Sequence, residues 1–233
     1  MALNIALHKS ILLSILKDIF TDAELSQSLG FKGGTAMLLF YHLNRFSVDL
    51  EFDLLDQTKE EYVFEEIKKI LEKYGTFESH KKRYTLFFIL SYKGNLPDAQ
   101  KIELEINKRS FGSKYEIKHH LSVAMPAMVE EDVAAHKLVA MYERMGEANR
   151  DIFDVYFIFH NHWSINKKIV EQRTGMSYKD FLQHCITALE KFNDKTILSG
   201  LGELLNEKQK AWVKSKLKND TLFLLRVALS NEK

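Results

Sequence analysis

Residues 45 to 53 alternate between charged or polar side chains and apolar ones, and this alternation constrains the fold most strongly. The segment reads Arg-Phe-Ser-Val-Asp-Leu-Glu-Phe-Asp. In a β-strand, side chains two residues apart point to the same face of the sheet. A strand at 48–54 would therefore place Asp49 and Glu51 on one face and the apolar residues between them in a core. Asp53 would share the acidic face, one step further along, where we expect it to be solvated.

A second alternating segment, Lys-Ile-Glu-Leu-Glu-Ile-Asn, occupies residues 101–107. By the same period of two, Glu103 and Glu105 would lie on one face of a strand. The apolar and aromatic run at 84–92 has the length of a buried strand, and residues 94–98 predict a turn. The middle of the chain therefore predicts further strands.

After Met125-Pro126 the hydrophobic pattern predicts helices for the rest of the chain. The predicted fold class is α+β, with a mixed β-sheet flanked by helices and an all-helical C-terminal domain. We place the first domain at residues 1–127 and the helical domain, which would complete a cleft, at residues 128–233.

Aligned carboxylates predict a bound cation. Mg²⁺ suits such a site because it typically binds through one or two carboxylates and substrate phosphates. A third carboxylate, Glu103 or Glu105, could complete the site and accept a proton from an attacking hydroxyl. Upstream, Lys-Gly-Gly-Thr at 32–35 can open a helix whose free N–H groups face an anion. The combination favours nucleotide chemistry, although Asp49 and Glu51 alone would also fit a solvated edge strand.

The predicted helix at 131–146 carries Lys137 and Arg144, seven residues apart and so on roughly one face. A cation on this face could hold a triphosphate and neutralise charge on leaving pyrophosphate, or it could be an ordinary surface charge. Asp151 lies at the start of the next predicted helix, where the helix dipole alone explains an acidic residue. Asp154 falls on the same side of that helix, and an ion pair with an arginine would explain it.

The composition limits the partners. The net charge is +1, so a nucleic acid would have to bind a local basic patch. Five lysines surround Trp212 and form such a patch, although a solvated helix face is the simpler explanation. They are Lys208, Lys210, Lys214, Lys216 and Lys218.

The single cysteine, Cys185, excludes an intrachain disulfide, and its place in an apolar helical stripe predicts an inert core residue. The sequence has no apolar run of membrane-spanning length, and its N-terminus lacks the pattern of a signal peptide. We therefore expect a cytoplasmic protein with no membrane partner.

The order of these motifs resembles that of the AbiEii/AbiGii toxin family, within the DNA polymerase β-like nucleotidyltransferases. The likeness spans roughly residues 28–160. It is carried by Lys32-Gly33-Gly34-Thr35, Arg45-Phe46-Ser47-Val48-Asp49-Leu50-Glu51-Phe52, Lys137-Leu138-Val139-Ala140-Met141-Tyr142-Glu143-Arg144 and Arg150-Asp151-Ile152-Phe153-Asp154. Glu51 replaces the family's usual second aspartate, and a glutamate can still bind a hard cation.

The resemblance implies a Mg²⁺-dependent nucleotidyltransferase that moves a nucleoside monophosphate from an NTP to an acceptor hydroxyl. Its characterised members are toxins of toxin–antitoxin pairs, some of which modify the acceptor end of tRNA. The expected partners are therefore an NTP, an RNA acceptor such as tRNA, and a cognate antitoxin. Two alternatives stay open: an inactive nucleotidyltransferase-like binding module, and a transferase with a protein or small-molecule acceptor.

The resemblance also assigns site residues. It implies catalytic roles for Asp49, Glu51, Glu105 and Lys137, with the three acids as Mg²⁺ ligands and Glu103 as the competitor of Glu105. The implied nucleotide-binding residues are Lys32, Gly33, Gly34, Thr35, Arg45, Ser47, Arg144, Asp151 and Asp154.

Overall fold

The computed structural model describes residues 4–92 and 100–232. The chain forms two compact units, Met1–Ser110 with Lys114–Met128, and Phe111–Ser113 with Val129–Lys233. The first unit combines a mixed sheet with helices and the second is helical, which confirms the predicted fold class. The division into separate domains at residues 1–127 and 128–233 stays a prediction. The turn expected at 94–98 lies outside the described residues, which end at 92 and resume at 100.

Within the described residues, the first unit contains a seven-stranded sheet in the order β3-β4-β5-β2-β1-β7-β6. Strand β2 lies in the middle of this order, antiparallel to β1 and parallel to β5. The strands are β1 Leu29–Lys32, β2 Leu50–Leu54, β3 Thr76–Lys81, β4 Thr85–Tyr92, β5 Gln100–Asn107, β6 Tyr115–His120 and β7 Val123–Met128.

Two expectations about the strands need correction. Strand β2 begins at Leu50 rather than at residue 48, so Asp49 precedes the strand. The helical part of the chain begins later than Met125-Pro126, because β7 continues through Pro126 to Met128, where it pairs with Tyr115 of β6.

The helices of the first unit are α1 Ile5–Thr21, α2 Ala23–Ser28, α3 Gly33–Phe40 and α4 Glu60–Glu72. Asp22 explains the start of α2, since its carboxylate accepts hydrogen bonds from the backbone N–H groups of Glu24 and Leu25. Phe31, Phe52 and Ile106, one from each of β1, β2 and β5, belong to one fully buried apolar cluster together with residues of α1, α2 and α4. Because side chains alternate along a strand, the acidic residues of β2 and β5 lie on the other face of the sheet.

The helices of the second unit are α5 Glu130–Glu143, α6 Arg150–His160, α7 Lys167–Thr174, α8 Tyr178–Lys191, α9 Glu207–Trp212 and α10 Lys218–Ser230. A π-helical turn, Val213–Leu217, joins the last two. Cys185 is fully buried in α8, which confirms that it is a core residue, and burial raises the pKa of its thiol to about 12. None of the helices in the described residues combines the length and the apolar character needed to cross a membrane.

Candidate active site

Helix α3 starts directly after β1, and its two glycines lie against the segment that carries the predicted acids. Gly33 has a φ of +78°, in the left-handed region that favours glycine. A Cβ at Gly33 would lie within 2.7 Å of both carboxylate oxygens of Glu51. A Cβ at Gly34 would lie 2.7 Å from the Ser47 hydroxyl and 3.1 Å from a guanidinium nitrogen of Arg45. The glycine motif at 32–35 therefore packs directly against the acidic segment at 45–53. The two glycines let the start of α3 approach the Glu51 carboxylate closely.

Thr35 and Arg45, both predicted to bind nucleotide, are buried and hold the segment before β2. The Thr35 hydroxyl donates to the Asp49 carbonyl at 2.5 Å and lies 3.0 Å from the Ser47 hydroxyl. Arg45 is 3% exposed and donates to the Phe46 carbonyl at 2.8 Å. These contacts give both residues a structural role, while nucleotide binding by them and by Ser47 stays a prediction.

Glu51 and Glu105 are direct partners in the parallel pairing of β2 with β5. Neighbouring strands lie roughly 4.8 Å apart, so the two side chains leave the same face side by side. Asp49, half-buried, lies two residues before Glu51. Like charges directly opposite each other destabilise a sheet. The register therefore favours Glu105 over Glu103 as the neighbour of Glu51 and creates a need for positive charge.

Over residues 4–92 and 100–232, no three His, Cys, Asp or Glu side chains form a group that could hold a metal ion by themselves. The paired strands nevertheless offer two carboxylates, Glu51 and Glu105, with Asp49 close by in sequence. Mg²⁺ usually keeps several waters and takes the remaining ligands from one or two carboxylates and from substrate phosphates. The residues present therefore fit a Mg²⁺ ion that arrives with a nucleotide.

Asp53, expected to be solvated, is 8% exposed and accepts three hydrogen bonds, so that expectation is wrong. The donors are the Lys32 ammonium at 2.5 Å, the Tyr115 hydroxyl at 2.5 Å and the Asn107 amide at 2.8 Å. Burial alone would raise the pKa of Asp53, but attraction to Lys32 and these hydrogen bonds lower it overall. Lys32, predicted to bind nucleotide, is thus held by a carboxylate at the end of β1.

One sequence signal could have revealed this network. Gly30 is the partner of Asp53 in the antiparallel pairing of β1 with β2. A Cβ at Gly30 would collide with the ring of Tyr115, so the missing side chain makes room for the tyrosine to reach Asp53. A glycine inside a strand often marks such a close approach.

Replacing Asp53 with asparagine should lower the free energy of unfolding by roughly 2 kcal/mol at neutral pH, because Lys32 loses a charged hydrogen-bond partner. The pKa of Asp53 is lower in the folded protein than its ordinary value of 3.8. Its contribution is therefore present above that value and is lost as the pH falls through the folded pKa. Urea unfolding of both proteins should give a difference that shrinks as the pH falls below about 4. A difference that is constant with pH would contradict the assignment, and Glu103→Gln, which changes an exposed acid, is the control.

In the second unit, Lys137 belongs to a buried ion-pair cluster. Its ammonium lies 2.9 Å from a carboxylate oxygen of Asp154 and 3.3 Å from one of Asp151. Arg144 donates to the other oxygen of Asp151 at 2.7 Å, so Lys137 and Arg144 do lie on one face. Both aspartates are 0% exposed. The cluster ties α5 to the first two turns of α6, and phosphate binding by these residues stays a prediction.

Part of the predicted basic patch has structural partners instead. The Trp212 ring packs against Tyr156 with centroids 4.7 Å apart and against Phe153 at 6.1 Å. The Lys218 ammonium donates to the carbonyls of Glu190 and Phe192 at the end of α8. These contacts give Trp212 and Lys218 structural roles that do not require a bound nucleic acid.

Comparison with known proteins identifies the family. Residues 14–220 match the model of a protein family described as "Nucleotidyl transferase AbiEii toxin, Type IV TA system". JHP933 from Helicobacter pylori shares 17% identity at a TM-score of 0.62, over 99% of this chain and 94% of that one. MenT4, a nucleotidyltransferase toxin from Mycobacterium tuberculosis H37Rv, shares 17% identity at a TM-score of 0.56, over 94% and 83%.

At these identities the solved structures show a shared fold alone. Among curated proteins, no sequence has significant similarity to this chain. The family match covers most of the chain and includes all the motifs that carry the resemblance. The chain therefore belongs to the AbiEii family of nucleotidyl transferase toxins of type IV toxin–antitoxin systems.

Proposed function

We propose that this protein transfers a nucleoside monophosphate from an NTP to an acceptor hydroxyl, with Asp49, Glu51 and Glu105 as the carboxylates that would hold Mg²⁺ together with waters and the substrate phosphates. The observation that carries the proposal is the pairing of Glu51 with Glu105 beside the glycines at the start of α3. When bound, Mg²⁺ would neutralise charge on the triphosphate and on the departing pyrophosphate. Membership of the AbiEii family supports a transferase activity.

The start of α3 is the proposed phosphate holder. Lys32, the N-cap residue, makes no side-chain capping hydrogen bond to this helix. The first backbone N–H groups of a helix lack partners within it and favour an anion. Gly33 and Gly34 bring the first turn of α3 close to Glu51 and Ser47, so a phosphate bound by the N–H groups of this turn would lie beside a proposed metal-binding carboxylate.

The transfer itself needs a base and a good leaving group. The acceptor hydroxyl oxygen would attack the α-phosphorus in line, forming an O–P bond while the bond from that phosphorus to the β-phosphate oxygen breaks. The hydroxyl proton would pass to a carboxylate oxygen of Glu105, whose side chain is exposed on its strand. Pyrophosphate leaves with the electron pair of the broken bond.

We further propose an RNA acceptor, tRNA in particular, and a cognate antitoxin as the protein partner. The type IV toxin–antitoxin designation of the family supports the antitoxin. The RNA acceptor is implied by the family resemblance of the sequence, and it stays a prediction. The cytoplasmic location, inferred from the sequence alone, stays a prediction as well.

The position of a radioactive label tests the proposed reaction. Incubation of the protein and MgCl₂ with NTPs labelled at the α-phosphate should label the acceptor, whereas the same NTPs labelled at the γ-phosphate should not. Total RNA and total cell protein are supplied together, so the fraction that carries the label identifies the acceptor class, and a reaction with EDTA is the control. Transfer of the γ-label, or binding of RNA or antitoxin without any transfer, would contradict the proposal.

A further inference from the structure

We infer that His8, in α1, is a positioning residue that fixes the direction of the Asp49 side chain. The inference rests on the proposed function, because it concerns the same acidic site. His8 lies before residue 14, where the match to the family begins. It is also absent from the motifs that identify the site.

The His8 imidazole is fully buried, and both of its ring nitrogens have hydrogen-bond partners. Nε2 lies 2.9 Å from the carbonyl oxygen of Val48, and Nδ1 lies 2.6 Å from the Tyr92 hydroxyl. The same hydroxyl is hydrogen-bonded to the Gln100 side chain at 2.8 Å. A buried polar ring costs free energy unless it is hydrogen-bonded, so these partners hold the ring in one orientation.

The direction of the bond to Val48 follows from the groups involved. A carbonyl oxygen only accepts, so Nε2 of His8 carries the proton and donates it. Burial lowers the pKa of His8, which favours the neutral ring, although the bond to Val48 acts in the opposite sense. The imidazole thus donates one N–H hydrogen bond to the carbonyl of Val48, the residue directly before Asp49.

Asp49 needs such support because residues 45–49 lie outside any helix or strand. His8 binds the carbonyl of the peptide that precedes the Asp49 Cα, and Thr35 binds the carbonyl of the peptide that follows it. Each peptide group is planar. Holding both carbonyls therefore sets φ and ψ of Asp49, and with them the direction in which its carboxylate leaves the backbone.

Three variants separate this role from ordinary stability. His8→Leu fills much of the space without a donor, while His8→Gln keeps an N–H donor within reach of Val48. Ile15→Ala creates a cavity at another fully buried position of α1 and controls for lost stability. Removing an outer-shell partner of a metal site typically costs about 10- to 100-fold in affinity or activity. We expect His8→Leu to weaken Mn²⁺ binding and lower kcat by about this factor with a near-native KM for NTP.

His8→Gln should recover most of the loss, and Ile15→Ala should lower the melting temperature without changing kcat or Mn²⁺ affinity. Tyr92→Phe, which removes the partner of Nδ1 together with the bond to Gln100 but leaves the bond from Nε2 to Val48, should give a smaller loss in the same direction if His8→Leu does not fold. Native kcat and Mn²⁺ affinity in both His8→Leu and Tyr92→Phe would overturn the inference. Equal losses in His8→Leu and Ile15→Ala would do the same.

A measurement independent of catalysis separates this inference from the proposed function. Hydrogen exchange of the backbone across residues 45–50 should be faster in His8→Leu than in the native protein, His8→Gln or Ile15→Ala. Unchanged exchange in His8→Leu would overturn the positioning role even if transfer is confirmed. Absence of transfer by the native protein would overturn the proposed function while the exchange data still decide whether His8 holds this segment.

Discussion

Asp49→Asn is expected to reduce nucleotidyl transfer at least about 1000-fold while leaving the fold intact. Metal binding stabilises transition-state charge by several kcal/mol, and about 4 kcal/mol corresponds to a factor of roughly 1000. Asparagine keeps the size of the side chain and the backbone bond from Thr35 to the Asp49 carbonyl. Initial rates with α-labelled NTP, compared at equal folded concentration, give the result.

Glu103 provides the matched control for the acidic site. It lies on the same strand and the same face as Glu105, but Glu105 is the residue paired with Glu51. Glu105→Gln should therefore impair transfer severely and Glu103→Gln only slightly. Equal damage by the two substitutions, or a near-native rate for Asp49→Asn, would contradict the site assignment.

Lys137→Met is expected to lower the free energy of unfolding by about 3–5 kcal/mol, because it removes the buried ammonium that contacts both Asp151 and Asp154. Asp151 and Asp154 are both 0% exposed, and Arg144 contacts an oxygen of Asp151. Urea unfolding at neutral pH measures the loss.

A double variant distinguishes lost charge compensation from lost packing. Adding Asp154→Asn to Lys137→Met removes the negative charge that lay 2.9 Å from the lost ammonium, so the double variant should lose less stability than the sum of the single losses. Native stability of Lys137→Met would rule out the buried cluster as a stabilising feature. Since loss of activity in Lys137→Met also follows from unfolding, the predicted phosphate contact is tested by the KM for NTP of the folded fraction.

The strands that carry the acids were predictable because their periodicity is local. Alternation alone located β2 and β5, and the apolar run at 84–92 located β4. Strand β1 was not predicted because it has only four residues and includes Gly30, which in a sequence usually indicates the end of a strand or helix. The sequence of β3, Thr-Phe-Glu-Ser-His-Lys, has one large apolar residue and no strong pattern.

Within the site, only the residues that belong to short sequence motifs could be predicted. The glycines and acids form short motifs, and the structure shows that these interlock. Asp53 was misjudged because one of its partners, Tyr115, lies 62 residues away along the chain. Likewise, no pattern connects His8 with Val48, 40 residues apart, because tertiary packing alone brings them together.

Anomalous diffraction from crystals grown with Mn²⁺ and a non-hydrolysable NTP tests the central claim most directly. We expect one manganese peak within coordination distance, about 2.2 Å, of carboxylate oxygens of Asp49 and Glu51, with the phosphates at the start of α3. Glu105 should ligate the same ion or face the α-phosphorus. A manganese ion bound away from these carboxylates, or a triphosphate bound away from Gly33 and Gly34, would contradict it.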